Sequence, residues 1–142
     1  MAFLVAGHEP GGAELCVANL HATAGDRPQA EADVTRAAAA AVAWAAGRPL
    51  LLGGDFNLRP ASSQLFGELG RSYGLAAPTG GPRSSAIDHI LVRGLETIEP
   101  PAAWPDERRE LQVRLDGGVR RLRLSDHSPI EAVYRLTTPG VR

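Results

Sequence analysis

The 142-residue sequence predicts one α/β domain, residues 1–142, built on a mixed, largely antiparallel sheet. Three observations carry that expectation. An apolar hairpin pattern opens the chain, a long alanine-rich helical stretch follows, and short β-type runs then alternate with glycine- and proline-rich turns. Length agrees, since a chain of this size buries roughly two-thirds of its unfolded surface in a single core. No internal repeat and no domain boundary interrupts it.

Taken in order, residues 2–6 are apolar, 7–12 are turn chemistry and 14–20 are apolar again, which predicts a hairpin. Side chains alternate along a strand, so Leu15, Val17, Asn19 and His21 share one face. Asp26 or Arg27-Pro28 opens a helix to about residue 46, with Pro in the first turn and Gly47 as the stop. Val34, Ala38, Ala41, Val42 and Ala45 form its apolar stripe, and the alanine run is helix propensity with close packing. Residues 49–52 followed by Gly53-Gly54 predict a short, fully buried strand. A short helix is expected over 62–72, a loop over 75–85, a strand over 87–92 and irregular structure over the proline-rich 94–106. Residues 110–115 and 119–124, joined by Asp116-Gly117-Gly118, predict a second hairpin, and 128–136 the last strand before a frayed tail.

The chain is 44% hydrophobic and 22% charged with a formal net charge of -1, ordinary for a globular protein. That balance argues against a generic basic coat for nucleic acid and leaves room for a local basic patch. All basic side chains are arginine, which we attribute to coding bias. Cys16 is the only cysteine, which excludes an internal disulfide, and its apolar neighbours predict a buried thiol. No apolar run is long enough for a membrane span, and the N-terminus lacks signal-peptide regions, so a cytoplasmic protein is expected unless a targeting segment precedes Met1.

Polar clusters sit at the strand ends. His21 and Asp55/Asn57 follow strands; Asp88 and Asp126-His127 precede or open them. In a mixed or antiparallel sheet all of these fall on one rim, gathering three carboxylates, two imidazoles and an amide. Carboxylates suit Mg²⁺ or Mn²⁺. An imidazole held by a carboxylate is a general acid or base near neutral pH, and amide N–H groups stabilise transition-state charge. Metal-assisted phosphoester hydrolysis uses these parts. Taken singly, each has a plain structural reading: Asn19 as a strand-end cap, His21 as a rim histidine, Asp55 and Asp126 as turn formers, Asp88 as a capping carboxylate. His89 points away from Asp88 and is expected to be structural or a pocket wall, and His8 to be solvated. Trp44 and Trp104 are expected to pack, and Arg108-Arg109 and Arg120-Arg121 to be solvated.

Together, Asn19-Leu20-His21, Gly54-Asp55-Phe56-Asn57, Ile87-Asp88-His89 and Ser125-Asp126-His127-Ser128-Pro129 resemble four successive motifs of the endonuclease/exonuclease/phosphatase (DNase I-like) family, in the family's order. The resemblance implies a divalent-metal-dependent phosphoesterase, with Mg²⁺ or Mn²⁺ as cofactor and in-line attack of water on a phosphodiester or phosphomonoester. It implies that Asp126 binds metal, that Asp55 binds metal or positions the water, and that His127, oriented by Asp88, contacts the phosphate or handles the proton. Asn57, Asn19 and His21 would hold phosphate oxygens. Nucleic acid, phospholipid headgroups and small phosphodiesters are all substrates of the family.

The family domain is an αββα sandwich, and the resemblance covers only its C-terminal half. The N-terminal half supplies an Asn-bearing strand and a metal-binding Glu; Glu9 and Glu14 stand in the wrong context to replace it. A truncated chain is therefore expected: a gene fragment, a misplaced start, or a remnant that self-associates or pairs with a missing half. One sheet face would then be uncovered. The alternative function is a catalytically inactive remnant acting as a phosphate- or partner-binding module.

Overall fold

In the computed structural model, residues 1–7, 14–76, 79–115 and 117–136 are described. Their order is β1 (Ala2–Gly7), β2 (Glu14–His21), α1 (Arg27–Ala45), β3 (Leu50–Asp55), α2 (Leu65–Tyr73), β4 (Asp88–Arg93), β5 (Leu95–Ala103), β6 (Glu110–Leu115), β7 (Gly118–Arg123) and β8 (Ile130–Leu136). The turn expected over residues 8–12 with His8 and Glu9, Asp116 of the second hairpin, and the tail after Leu136 lie outside the described residues.

Helix α1 forms where its caps say it should. The Asp26 carboxylate accepts the Gln29 N–H at 3.0 Å, satisfying one of the free donors of the first turn. Pro28 sits in that turn, and Ala46 adopts the left-handed C-cap conformation ahead of Gly47. Its buried stripe is Ala30, Val34, Ala37, Ala38, Ala41 and Ala45. Such small side chains let the helix lie close against the sheet. The parallel pairing of β2 with β3 requires a crossover, and α1 supplies it.

Strands β1–β4 form one sheet in the order β1-β2-β3-β4, paired antiparallel, parallel and antiparallel. Strands β5 and β8 pair antiparallel, as do β6 and β7. The fold is thus the expected mixed α/β architecture. One face of the four-stranded sheet is covered by the helices: Cys16, Ala18, Leu20, Leu50, Leu52, His89 and Leu91 are all buried. Each large aliphatic side chain placed there contributes roughly 1.5–3 kcal/mol through loss of apolar surface from water.

The other face carries the alternate residues. Cross-strand register sets Leu4, Val17, Leu51 and Val92 in one row, then Ala2, Asn19, Gly53 and Ile90 in the next. Leu4 is 62% exposed, and Val17, Leu51 and Ile90 are half-buried. The face is open at its β1 edge, and Val92 at the β4 end of the row is 6% exposed.

Residues 94–106 correct the sequence reading. Leu95–Ala103 is a strand, not an irregular segment. Its pairing with β8 shifts register between Thr97 and Glu99 and again between Glu99 and Ala102, and Pro100-Pro101 lies inside the second shift. Proline lacks an N–H for the ladder, and this edge strand accommodates two of them where its pairing is irregular. The β6–β7 ribbon projects with every residue of β7 exposed. No helix among the described residues is long and apolar enough to cross a membrane.

Candidate active site

The sheet's third row is polar. His21 pairs in register with Asp55, and Asp55 with Asp88, so three strands end side by side on the open face. Backbone bonds lock this rim beyond the strands: Ala22 N–H donates to Asp55 O at 2.8 Å and Phe56 N–H to Ile87 O at 2.9 Å. Gly54 has φ +130°, and a Cβ there would lie 1.9 Å from Leu20 O and 2.8 Å from Asn19 Oδ1. Only glycine lets the motif strand pass this close to β2.

The turn after β3 is built by its own side chains. The Asp55 carboxylate accepts the Asn57 N–H at 2.9 Å, the local bond by which Asp shapes a turn. Asn57 takes the left-handed conformation at φ 51°, which Asn tolerates better than most residues. Its side-chain Nδ2 donates to Ala22 O at 2.9 Å, so at least one amide proton holds the end of β2 in place.

His127 closes onto the row from the segment before β8. Its Nδ1 donates to Asp88 Oδ2 at 2.8 Å, and its Nε2 stands 3.9 Å from Asp55 Oδ2. His21 Nε2 lies 3.7 Å from the same Asp55 oxygen, with the His21 side chain 76% exposed. The hydrogen bond to Asp88 is the main reason the His127 pKa is raised above the ordinary histidine value, with the charges of Asp88, Asp55 and Asp126 acting in the same direction. His89, one residue from Asp88, faces the opposite side and is 1% exposed. Burial lowers its pKa, its Nε2 donates to Leu58 O at 2.9 Å, and the rings of Phe56 and Phe66 enclose it. The expectation that His89 is structural is thereby met.

Asp55, Asp88 and His127 offer ligand atoms all within 4.8 Å of one another, a donor set of carboxylates and an imidazole that suits a hard divalent cation. Asp126 lies outside this close group. It is exposed and lines, with Asp88, His127, Ser128 and Arg59, an adjoining cavity of about 240 Å³. Asn19 is exposed one row in from the rim, on the same face. The residues singled out from sequence thus converge around one rim, with Asp126 at its side.

Sequence reasoning missed Arg59 as a cavity residue. Its signal was position alone, two residues after Asn57 on the same turn. The arginine pairs were only partly described by solvation. Arg109 has an 11% exposed side chain gripped by Asp106, and Arg108 lies 3.8 Å over the Trp104 ring. Trp44 packs on the core and against Phe3 as expected. Glu14, the first residue of β2, is engaged by Arg48 at 2.9 Å.

This rim sets a carboxylate-held imidazole over two in-register carboxylates. Residues 3–127 match the model of the Endonuclease/Exonuclease/phosphatase family, and the chain belongs to that family. Among solved structures it is similar to an endonuclease/exonuclease/phosphatase family protein of Bacteroides thetaiotaomicron, with TM-score 0.67 and 18% identity over 92% of this chain and 52% of that one. A mannosyl-6-phosphatase of Bacteroides thetaiotaomicron VPI-5482 superposes with TM-score 0.66 and 18% identity, covering 88% of this chain and 52% of the other. A beta toxin of Staphylococcus aureus with bound magnesium ions gives TM-score 0.56 and 13% identity, covering 87% and 54%. The chain therefore spans about half the length of the structures it matches. No curated protein sequence matches it.

Proposed function

We propose that the protein is a divalent-metal-dependent phosphoesterase in which water attacks a phosphoester in line. The observation that carries this is the His21–Asp55–Asp88 row with His127 hydrogen-bonded to Asp88 above it. Asp88 fixes the His127 ring so that Nε2 faces the Asp55 side of the rim, where it takes or returns the proton of the attacking water. Asp55 Oδ1 is committed to the Asn57 N–H, which leaves Oδ2 toward the site. That oxygen, within 4.8 Å of ligand atoms of Asp88 and His127, would hold Mg²⁺ or Mn²⁺, with Asp126, which stands outside this close group, closing on the cation from the adjoining cavity. A cation there supplies Lewis-acid polarisation of a phosphoryl oxygen. His21, Asn19 and the remaining Asn57 amide proton present donors to phosphate oxygens from the β2 side.

The kinship to a mannosyl-6-phosphatase and to a magnesium-bound toxin supports this chemistry at the level of the fold. Nucleic acid, phospholipid headgroups and small phosphodiesters are the substrate classes to screen. The second reading, a phosphate- or partner-binding module without turnover, is favoured by the open sheet face around Leu4, which is suited to self-association or to pairing with a second half-domain.

One assay separates the two. The 142-residue chain should hydrolyse a generic aryl phosphodiester with Mg²⁺ or Mn²⁺, lose activity in chelator, and lose about 10²- to 10⁴-fold in His127→Ala. A folded sample that is inactive with every cation would sink the enzymatic reading in favour of the binding module.

A further inference from the structure

Arg59 is set apart from the other arginines without an ion pair among the described residues, Arg71, Arg83, Arg93, Arg114 and Arg120, by the cavity it lines. Arg109 and Arg123 hold Asp106, Arg108 holds Glu131, and Arg135 holds Glu96. Arg59 is exposed and, among the described residues, has no carboxylate within ion-pair reach. It lines the same cavity as Asp88, Asp126 and His127. Apart from the histidine, it is the cation of that lining.

Its backbone is fixed from three sides. The buried His89 ring donates to the carbonyl of Leu58, which is itself 2% exposed. The Arg59 carbonyl accepts the N–H groups of Ser62 and Ser63, each at 3.0 Å, and Pro60 restricts Arg59 to extended conformations. Ala61 N–H donates to Ser84 O at 3.2 Å, tying this turn to the loop that leads into Ser85 on the cavity wall. An arginine on so rigid a base, left without a partner beside a carboxylate-held histidine, is placed to bind an anion. Its planar fork matches two phosphate oxygens at once.

We propose that Arg59 is a phosphate clamp of this site, gripping nonbridging phosphoryl oxygens of the substrate in the cavity beside His127. The proposal rests on the phosphoesterase reading for the identity of the substrate. Binding of the anion itself requires no turnover. The clamp balances charge: a phosphate entering a pocket with Asp88 and Asp126 meets two carboxylates, and the guanidinium offsets part of that repulsion.

The test is titration of the 142-residue chain with inorganic phosphate by calorimetry, with Mg²⁺ and separately in chelator, for wild type, Arg59→Gln and Arg59→Lys. Loss of a charge-assisted bidentate contact is expected to weaken phosphate binding about tenfold to a hundredfold in Arg59→Gln, with partial recovery in Arg59→Lys. Thermal melts of both variants should match wild type, since the side chain is exposed. Phosphate affinity unchanged in Arg59→Gln, or no phosphate binding to wild type in either condition, overturns the clamp. The two proposals fail separately. Arg59-dependent phosphate binding without turnover under any cation keeps the clamp and removes the enzyme. Turnover with an unaltered KM in Arg59→Gln keeps the enzyme and removes the clamp.

Discussion

The two faces of the four-stranded sheet are made from alternate residues of the same strands, and they do opposite work. Under the helices, β2, β3 and β4 contribute Cys16, Ala18, Leu20, Leu50, Leu52, His89 and Leu91, all buried. On the open face the same strands contribute Val17, Asn19, His21, Leu51, Asp55, Asp88 and Ile90, none of which is buried, whereas Val92 on that face is 6% exposed where β4 bridges to Ala76. A single step along β4, from Asp88 to His89, passes from the candidate site to the core. Strand periodicity thus lets one element serve the core and the candidate site together, because successive side chains point to opposite faces. The histidines make the contrast sharpest: His127, on the open side, is pushed toward the charged form and His89, under the helices, toward the neutral one.

The largest effects should come from the open rim, and should be chemical. Asp88→Asn keeps the shape but removes the charge that orients and sustains His127. Turnover of an aryl phosphodiester should fall about 10²- to 10⁴-fold, while the denaturant midpoint stays near wild type. A midpoint shift as large as that of a core truncation would mean that Asp88 is structural. Next comes the covered face. Leu52→Ala leaves a cavity against α1 and should cost about 2–5 kcal/mol in urea unfolding, with phosphate affinity unchanged in the fraction that remains folded.

The histidines predict a smaller, signed effect. The folded-state pKa of His89 is depressed below 6.5, so its contribution to stability is complete above pH 6.5 and is lost as pH falls toward the depressed value. His127 has a raised pKa, so its contribution is complete below pH 6.5 and is lost as pH rises through the raised value. Replacing His89 by Gln removes the titration and retains a donor for Leu58 O. The decline in unfolding midpoint from pH 7 to pH 5 should become shallower, whereas His127→Gln should make it steeper. Identical pH profiles for both variants would refute the assignment of the two rings to opposite environments. The smallest effect belongs to Leu4, already 62% exposed: Leu4→Ser should change monomer stability by no more than about 0.5 kcal/mol. It should, however, reduce any self-association seen by light scattering at high concentration.

Most of this division was legible in the sequence, because it is local. Alternation placed Asn19 and His21 together; Asp26, Pro28 and Gly47 bounded the helix; and the Gly-Gly-Asp sequence marked the end of a buried strand. What was illegible depends on partners far along the chain. The strand over residues 95–103 was hidden because its prolines deny the usual pattern, and only the ladder with β8 rescues it. The Asn57 amide looked like a phosphate ligand in isolation, yet one of its protons is given to Ala22 O, 35 residues away. Arg59 belongs to no periodic pattern at all, and its isolation from carboxylates exists only in three dimensions. Arg109 looked like a surface charge until Asp106 and the fold closed around it.

The β6–β7 ribbon has a consequence of a different kind. It leaves the domain at Glu110 and returns at Arg123, residues paired across its base, and only then does the chain reach Ser125-Asp126-His127. Because its ends meet and its second strand is solvent-exposed throughout, the ribbon can gain or lose residue pairs at its tip without moving His127. In lineages descended from a common ancestor, this is where length should drift fastest while the turn before β8 holds still. An appendage anchored so near Asp126 and His127 gives evolution a handle on what approaches that rim, while the core stays as it is.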